Sequence, residues 1–136
     1  MTKTHASIDE YMTRSPHSIG EEQTLARAKA VMQEHDIRHL PVLHGGRLVG
    51  MVTERDVNLV ETLDDVDPRL VTVSDAMSTS VYAVTPETSL EQVASEMADR
   101  KYGSAIVMRG HEVVGIFTTV DACRALASML HERRSR

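Results

Sequence analysis

Aromatic side chains are nearly missing from this chain of 136 residues, which has no tryptophan, one phenylalanine and three tyrosines. Any core must therefore be assembled from Leu, Val, Ile, Met and Ala, a composition that suits thin layers. Cysteine occurs once, as Cys123, so no intramolecular disulfide can form. On a helix whose other faces are apolar, Cys123 is expected to be a buried, inert thiol. No apolar run reaches membrane-spanning length or resembles the h-region of a signal peptide, and the chain is expected to be soluble and cytoplasmic, without a membrane partner. Bases are in the minority, 15 Lys and Arg against 20 Asp and Glu, for a net charge of -5. Scattered bases on an acidic chain argue against DNA or RNA, whose phosphates require a basic face.

Catalytic signatures are also lacking. No acid/base pair, activated nucleophile or metal constellation is legible, so the chain is expected not to be an enzyme. The seven histidines, His5, His17, His35, His39, His44, His111 and His131, show no ligand spacing on one element, and no metal site is expected. The eight methionines recur at core spacing and read as packing.

What the chain does have is a repeat. The segment Leu48-Val-Gly-Met-Val-Thr53-Glu-Arg-Asp56 returns as Val113-Val-Gly-Ile-Phe-Thr118-Thr-Val-Asp121, at a constant offset of 65 residues. The same register pairs Met12 with Met77, Ser15 with Ser80, Leu25 with Leu90, Met32 with Met97 and Gly50 with Gly115. A long period present only twice indicates an internally duplicated domain, since a solenoid needs at least three stacked units.

In each copy the apolar period changes from helical to strand-like and back. Leu25, Ala28, Val31 and Met32 share one helical face, as do Leu90, Val93, Ala94 and Met97 in a helix that starts with Ser89 and Gln92 in capping-box spacing. Apolar runs at 40–43 and 48–52 flank His44-Gly45-Gly46-Arg47, a hairpin turn; runs at 105–108 and 113–117 flank Gly110-His111. A second helix begins at Thr53 or Thr118, carrying Val57, Leu59 and Val60, or Ala122, Ala125, Leu126 and Met129. Short extended pieces precede the first helix of each copy, near Ser18-Ile19 and over 81–84. The unit is β-α-β-β-α, an α/β (α+β) fold. A unit of about sixty residues buries little surface, so the two copies must pack together. The polar, Pro-broken stretch from Asp64 serves as linker, giving repeats 8–63 and 73–130, a linker at 64–72 and flexible ends at 1–7 and 131–136.

Two readings attach to the Thr-x-x-Asp pairs. Thr53 with Asp56, and Thr118 with Asp121, form near capping boxes. The same helix N-termini offer free N–H groups to a phosphate, Thr Oγ can donate to it, and a carboxylate one turn in can accept from both hydroxyls of a ribose. Arg38 and His39 precede the strand that contains Pro41, and are either a solvated connector or a phosphate clamp: Arg38 through a bidentate contact, His39 through a charge-assisted bond once protonated. Copy two has Gly103 and Ser104 at those positions, so the copies are not equivalent.

Together with the Ile37-Arg-His-Leu-Pro-Val42 segment and the paired Ile8-x-Glu10-x-Met12 and Val73-x-Asp75-x-Met77 starts, these motifs make residues 8 to about 130 resemble a tandem pair of cystathionine-β-synthase (CBS) domains, a Bateman module. The resemblance implies two repeats related by a pseudo-twofold axis. It further implies a regulatory, energy-sensing module that binds an adenine nucleotide (AMP, ADP or ATP), with S-adenosylmethionine or NAD as alternatives, in clefts between the repeats. Such modules pair into disc-shaped homodimers. The alternative role is a ligand-free dimerisation or docking module that regulates a partner protein.

Carried over residue by residue, the resemblance gives Asp56 and Asp121 to ribose hydroxyls, and places Thr53 and Thr118 beside ribose and phosphate. Ser15, Pro16 and His17, with Ser80, Val81 and Tyr82, line the adenine. Met51, Val52, Ile116 and Phe117 supply apolar walls, and Arg38 and His39 the phosphate side. The Thr53/Asp56 site is expected to bind phosphate better, the Thr118/Asp121 site being weaker, phosphate-poor or empty unless Arg38, Arg55 or Arg124 reaches it.

Overall fold

The computed structural model describes residues 6–135. His5 and the rest of 1–5, and Arg136, assigned above to the flexible ends, lie outside the described residues. A 3-10 turn at Ile8–Glu10 leads into β1 (Thr13–Arg14), β2 (Ile19–Gly20), α1 (Leu25–His35), β3 (His39–His44), β4 (Arg47–Thr53) and α2 (Glu54–Glu61). After the linker come α3 (Val73–Ala76), β5 (Ala83–Val84), α4 (Leu90–Arg100), β6 (Ser104–Arg109), β7 (Glu112–Thr118) and α5 (Thr119–Arg134). The β-α-β-β-α order is therefore present twice.

Compactness follows a different division from the sequence repeat. One unit is Pro16–Val81; the other joins the segment ending at Ser15 to the chain from Tyr82 onward. Each repeat thus lends its leader to the other's hairpin. In the Pro16–Val81 unit the sheet order is β2-β3-β4, with β2 parallel to β3 and β3 antiparallel to β4. The leader that carries α3 closes on β4 through two bonds of 2.9 Å exchanged between Met51 and Ser78 backbones. In the other unit the order is β1-β7-β6-β5, and β1 itself is the borrowed leader, with Thr13 opposite Ile116 and Arg14 opposite Gly115.

Two glycines make these leaders fit. A Cβ on Gly50 would lie 2.6 Å from Met77 Sδ and 2.7 Å from the Ser78 carbonyl oxygen, and one on Gly115 would collide with Met12 Sδ. The hairpin turn is glycine-dependent for another reason: Gly45 and Gly46 have φ of +56° and +83°, the left-handed pair that a two-residue turn between twisted strands requires.

Caps set the helix starts. Thr24 Oγ1 accepts from Arg27 N–H and Ser89 Oγ from Gln92 N–H, while Thr53 and Thr118 begin α2 and α5 in full capping boxes with Asp56 and Asp121. One core gathers Leu25, Ala28, Met32, Leu40, Val42, Val52, Val57 and Val73; the other gathers Ile8, Leu90, Val93, Met97, Ala105, Val107, Phe117 and Ala125. Fully burying such an aliphatic or Phe side chain is worth about 1.5–3 kcal/mol.

Several helical residues expected inside are not. Ala94 is exposed and Val31 half-buried. Leu59 is 64% and Leu126 59% exposed. α2 and α5 bury a single narrow stripe, anchored by Val57 and by Ala125, because a helix lying on one layer covers only one of its faces. Cys123 falls outside that stripe and is exposed, which corrects the buried thiol expected from the sequence. α5 also continues through residues 131–134, with His131, Arg133 and Arg134 in its last turn, where cations complement the helix dipole.

Candidate functional site

In the Pro16–Val81 unit the β3–β4 hairpin gathers the phosphate-side candidates. Register places His39 opposite Thr53, and Glu54 N–H donates to the Arg38 carbonyl at 2.9 Å. Thr53 N–H and Oγ1–H both donate to Asp56 Oδ2, at 2.9 and 3.1 Å, while Asp56 N–H donates back to Thr53 Oγ1 at 3.3 Å. Oδ1 of Asp56 receives no hydrogen bond from the described residues. The capping reading is thus satisfied by one carboxylate oxygen, and the second is left for another donor.

Arg38 is largely exposed and sits 3.9 Å from Glu54. A pair so exposed and so long holds the guanidinium weakly, so its release toward an anion costs little. Arg55 is exposed on the first turn of α2. His39 is half-buried. Burial first, then the neighbouring Arg38 cation, push its pKa below the usual 6.5, and Asp56 only partly offsets them. The same burial disfavours the protonated imidazole that a charge-assisted bond requires.

The other residues are placed less uniformly. Pro16, His17, Ser80 and Val81 belong to this same unit, whereas Ser15 and Tyr82 belong to the other. His17 stacks on His35, rings 3.6 Å apart, against the last turn of α1. Ser15 adopts φ +48°, and its N–H donates to the Val114 carbonyl. Tyr82 packs against Tyr102 at 5.1 Å and accepts a backbone bond from Ile106, its hydroxyl pKa raised by burial and by Glu96. Met51 and Ile116 are buried outside both cores, but Val52 and Phe117 are core residues on the opposite face of their strands. Neighbours in a strand cannot share a face, so Met51 and Ile116 lie on the side away from Val52 and Phe117.

In the second unit the equivalent carboxylate has further partners within the chain. Thr118 N–H and Oγ1–H donate to Asp121 Oδ2 at 2.9 and 3.3 Å, and Thr13 Oγ1–H donates to Oδ1 at 3.0 Å. Arg124 Nη1 stands 3.8 Å from the same oxygen, and Asp121 is only 6% exposed. Gly103 and Ser104 sit where Arg38 and His39 do, with Ser104 opposite Thr118 and Thr119 N–H donating to the Gly103 carbonyl. Sequence reasoning missed Thr13, whose partner is 108 positions away, and Glu54, whose contact with Arg38 depends on the hairpin. Only the repeat alignment, which sets Thr13 against Ser78, carried a hint.

An apolar cavity of about 340 Å³ lies elsewhere in this unit, between α4 and α5 against Phe117, Leu126 and Met129, and includes none of the Thr or Asp candidates. Among the described residues no three His, Cys, Asp or Glu side chains converge as metal ligands, and no helix is long and apolar enough to cross a membrane.

The family model for the CBS domain matches residues 8–60 and again 73–128. The chain belongs to the CBS domain family. Among curated relatives, Hypoxic response protein 1 of Mycobacterium tuberculosis is 33% identical over 109 residues, covering 79% of this chain and 76% of that protein. The crystal structure of Vibrio cholerae AcuB superposes with a TM-score of 0.87 at 28% identity, covering 97% of this chain and 98% of the other. The CBS domain pair of protein MJ0100, solved in complex with 5'-methylthioadenosine and S-adenosylmethionine, has a TM-score of 0.83 at 21% identity, covering 92% of this chain and 98% of that one. This CBS chain thus has the mixed α/β fold of known CBS pairs, with its element order repeated.

Proposed function

We propose that this CBS protein is a non-catalytic sensor of an adenosine nucleotide, AMP, ADP or ATP, or of a related adenosyl ligand. The observation that carries the reading is the free Oδ1 of Asp56 beside Arg38 and His39 at the start of α2. A carboxylate with an open oxygen accepts from ribose hydroxyls, an exposed guanidinium pairs with phosphate, and the α2 N-terminus favours the same anion. Thr53 orients the carboxylate, Met51 adds an apolar contact, and Pro16, His17, Ser80 and Val81 are the candidates for the base. The adenosyl ligands of the MJ0100 pair support the ligand class. Regulation then requires only that the ligand prefer one conformation or one partner complex over another.

Exposed apolar residues support assembly as a homodimer. On α5, Val120, Leu126 and Leu130 are exposed apolar side chains, a surface that a second copy of the chain can cover. Light scattering of the purified chain, with Leu126→Glu as control, reads that state.

The test of ligand binding is thermal unfolding with excess AMP, ADP, ATP or S-adenosylmethionine. Hundredfold excess over Kd stabilises a selective binder by about 2.7 kcal/mol. The expected result is a rise in Tm for one of these ligands that Asp56→Ala removes; an unmoved Tm with all four, and no adenosyl compound released on denaturation, sinks the reading.

A further inference from the structure

We infer that Thr13 is a built-in occupant of the second carboxylate: its hydroxyl takes the place at Asp121 that a ribose hydroxyl takes at Asp56, so the chain binds one nucleotide rather than two. This rests on the nucleotide reading of the Asp56 site.

The two carboxylates begin alike. Each gives Oδ2 to its own helix cap, Asp56 to Thr53 and Asp121 to Thr118. They part at Oδ1. That oxygen of Asp121 accepts from Thr13 at 3.0 Å with Arg124 Nη1 nearby, and the residue is almost wholly buried. Asp56 is half-buried, and its Oδ1 takes nothing from the described residues. A vicinal diol needs two free acceptor directions, and of the about four that a carboxylate has, Asp56 keeps about two and Asp121 about one.

The repeat explains how the difference arose from a small change. Thr13 and Ser78 occupy equivalent places, 65 residues apart, and each pairs its backbone with the middle of a hairpin strand, Thr13 with Ile116 and Ser78 with Met51. Ser78 Oγ instead accepts from the N–H of Ser80, two residues on, at 3.3 Å. Serine readily folds back into such a local turn, whereas the β-branch of threonine stiffens χ1 and keeps the Thr13 hydroxyl on Asp121. At the position of Arg124 the first copy has Leu59, so no cation accompanies Asp56 there.

The experiment is isothermal calorimetry with AMP and with adenosine, which lacks phosphate and so reports the carboxylate rather than the missing Arg-His pair. Wild type is expected to bind one equivalent, Asp56→Ala none, and Thr13→Val in the Asp56→Ala background to regain one equivalent, with Thr13→Ala as a second opening variant. One equivalent retained by Asp56→Ala alone, or silence of both double variants while wild type binds, overturns the inference. Should wild type bind neither probe nor any other adenine nucleotide, the nucleotide reading fails separately, and the hydrogen bond is judged by stability. Tm losses of Thr13→Val and Asp121→Ala that are non-additive in the double variant support the occupant; additive losses refute it.

Discussion

In the Pro16–Val81 unit Asp56 completes the capping box of its own helix with one oxygen and keeps the other open, beside an exposed Arg38 and a half-buried His39 whose pKa is lowered by that burial. In the other unit Asp121 caps its helix in the same way, yet its second oxygen is taken by Thr13, and Gly103 and Ser104 replace the basic pair. Duplication kept the cap in both places because a helix start needs it for stability. It did not keep the surroundings, so the Thr-x-x-Asp motif marks the scaffold, and its neighbours are what set the two carboxylates apart.

The comparison can be broken most forcefully in the cores. Phe117 and Val52 hold equivalent positions, both fully buried. Phe117→Ala is expected to cost about 3–5 kcal/mol, against roughly 1.6 kcal/mol for the two methyl groups lost in Val52→Ala at about 0.8 kcal/mol each. Urea unfolding followed by circular dichroism compares them; equal losses would mean that the two cores are not the parallel structures described above.

Next come the glycines under the leaders. Gly50→Ala drives its Cβ toward the Ser78 carbonyl oxygen, a backbone atom held by the Met51 bridge, and is expected to cost about 1–3 kcal/mol as overpacking. The three atoms nearest a Cβ on Gly115 all belong to the Met12 side chain, which can swing aside, so Gly115→Ala should cost less. The same unfolding experiment ranks them, and the reverse order would contradict the difference in what each Cβ meets.

A smaller effect separates the carboxylates. Asp121→Ala removes its half of the capping box and the bond from Thr13, about 2 kcal/mol together, while Asp56→Ala removes the capping-box half alone, about 1 kcal/mol, the Thr53 and Thr118 N-cap bonds to the backbone being kept. Ligand binding should follow the opposite order, with Asp56→Ala the more damaging in calorimetry.

The smallest effect is a pH slope confined to one unit. His39 has its folded pKa below the ordinary 6.5, so the unfolded chain takes up the proton first as pH falls. Stability due to neutral His39 is complete above about pH 6.5 and is lost as pH falls from there to the lowered folded value, below which the slope ends. His39→Gln should flatten that part of the stability-pH profile; Ser104, the counterpart, cannot titrate there. A slope unchanged in His39→Gln assigns it to another group.

Much of this was legible without coordinates. Thr53 and Thr118 as caps, the Gly45-Gly46 turn, the strand pairs and the order of elements all follow from residues within a few positions of one another, where spacing alone states the contact. Even the difference between Arg38-His39 and Gly103-Ser104 needs only the 65-residue register. Burial on α2 and α5 was read too generously, because an apolar helix face does not say whether anything covers it: Cys123, Leu59 and Leu126 are exposed.

By itself, then, the sequence determined a duplicated β-α-β-β-α chain with two carboxylates set at two helix starts. Only tertiary structure decided that each repeat lends its leader to the other hairpin, that Val52 and Phe117 turn inward, that burial lowers the pKa of His39, and that Thr13 reaches Asp121. Local patterns record hydrogen bonds closed within a turn of chain. A bond across 108 residues leaves no spacing to read, and a carboxylate is open or filled according to what folding brings to its second oxygen.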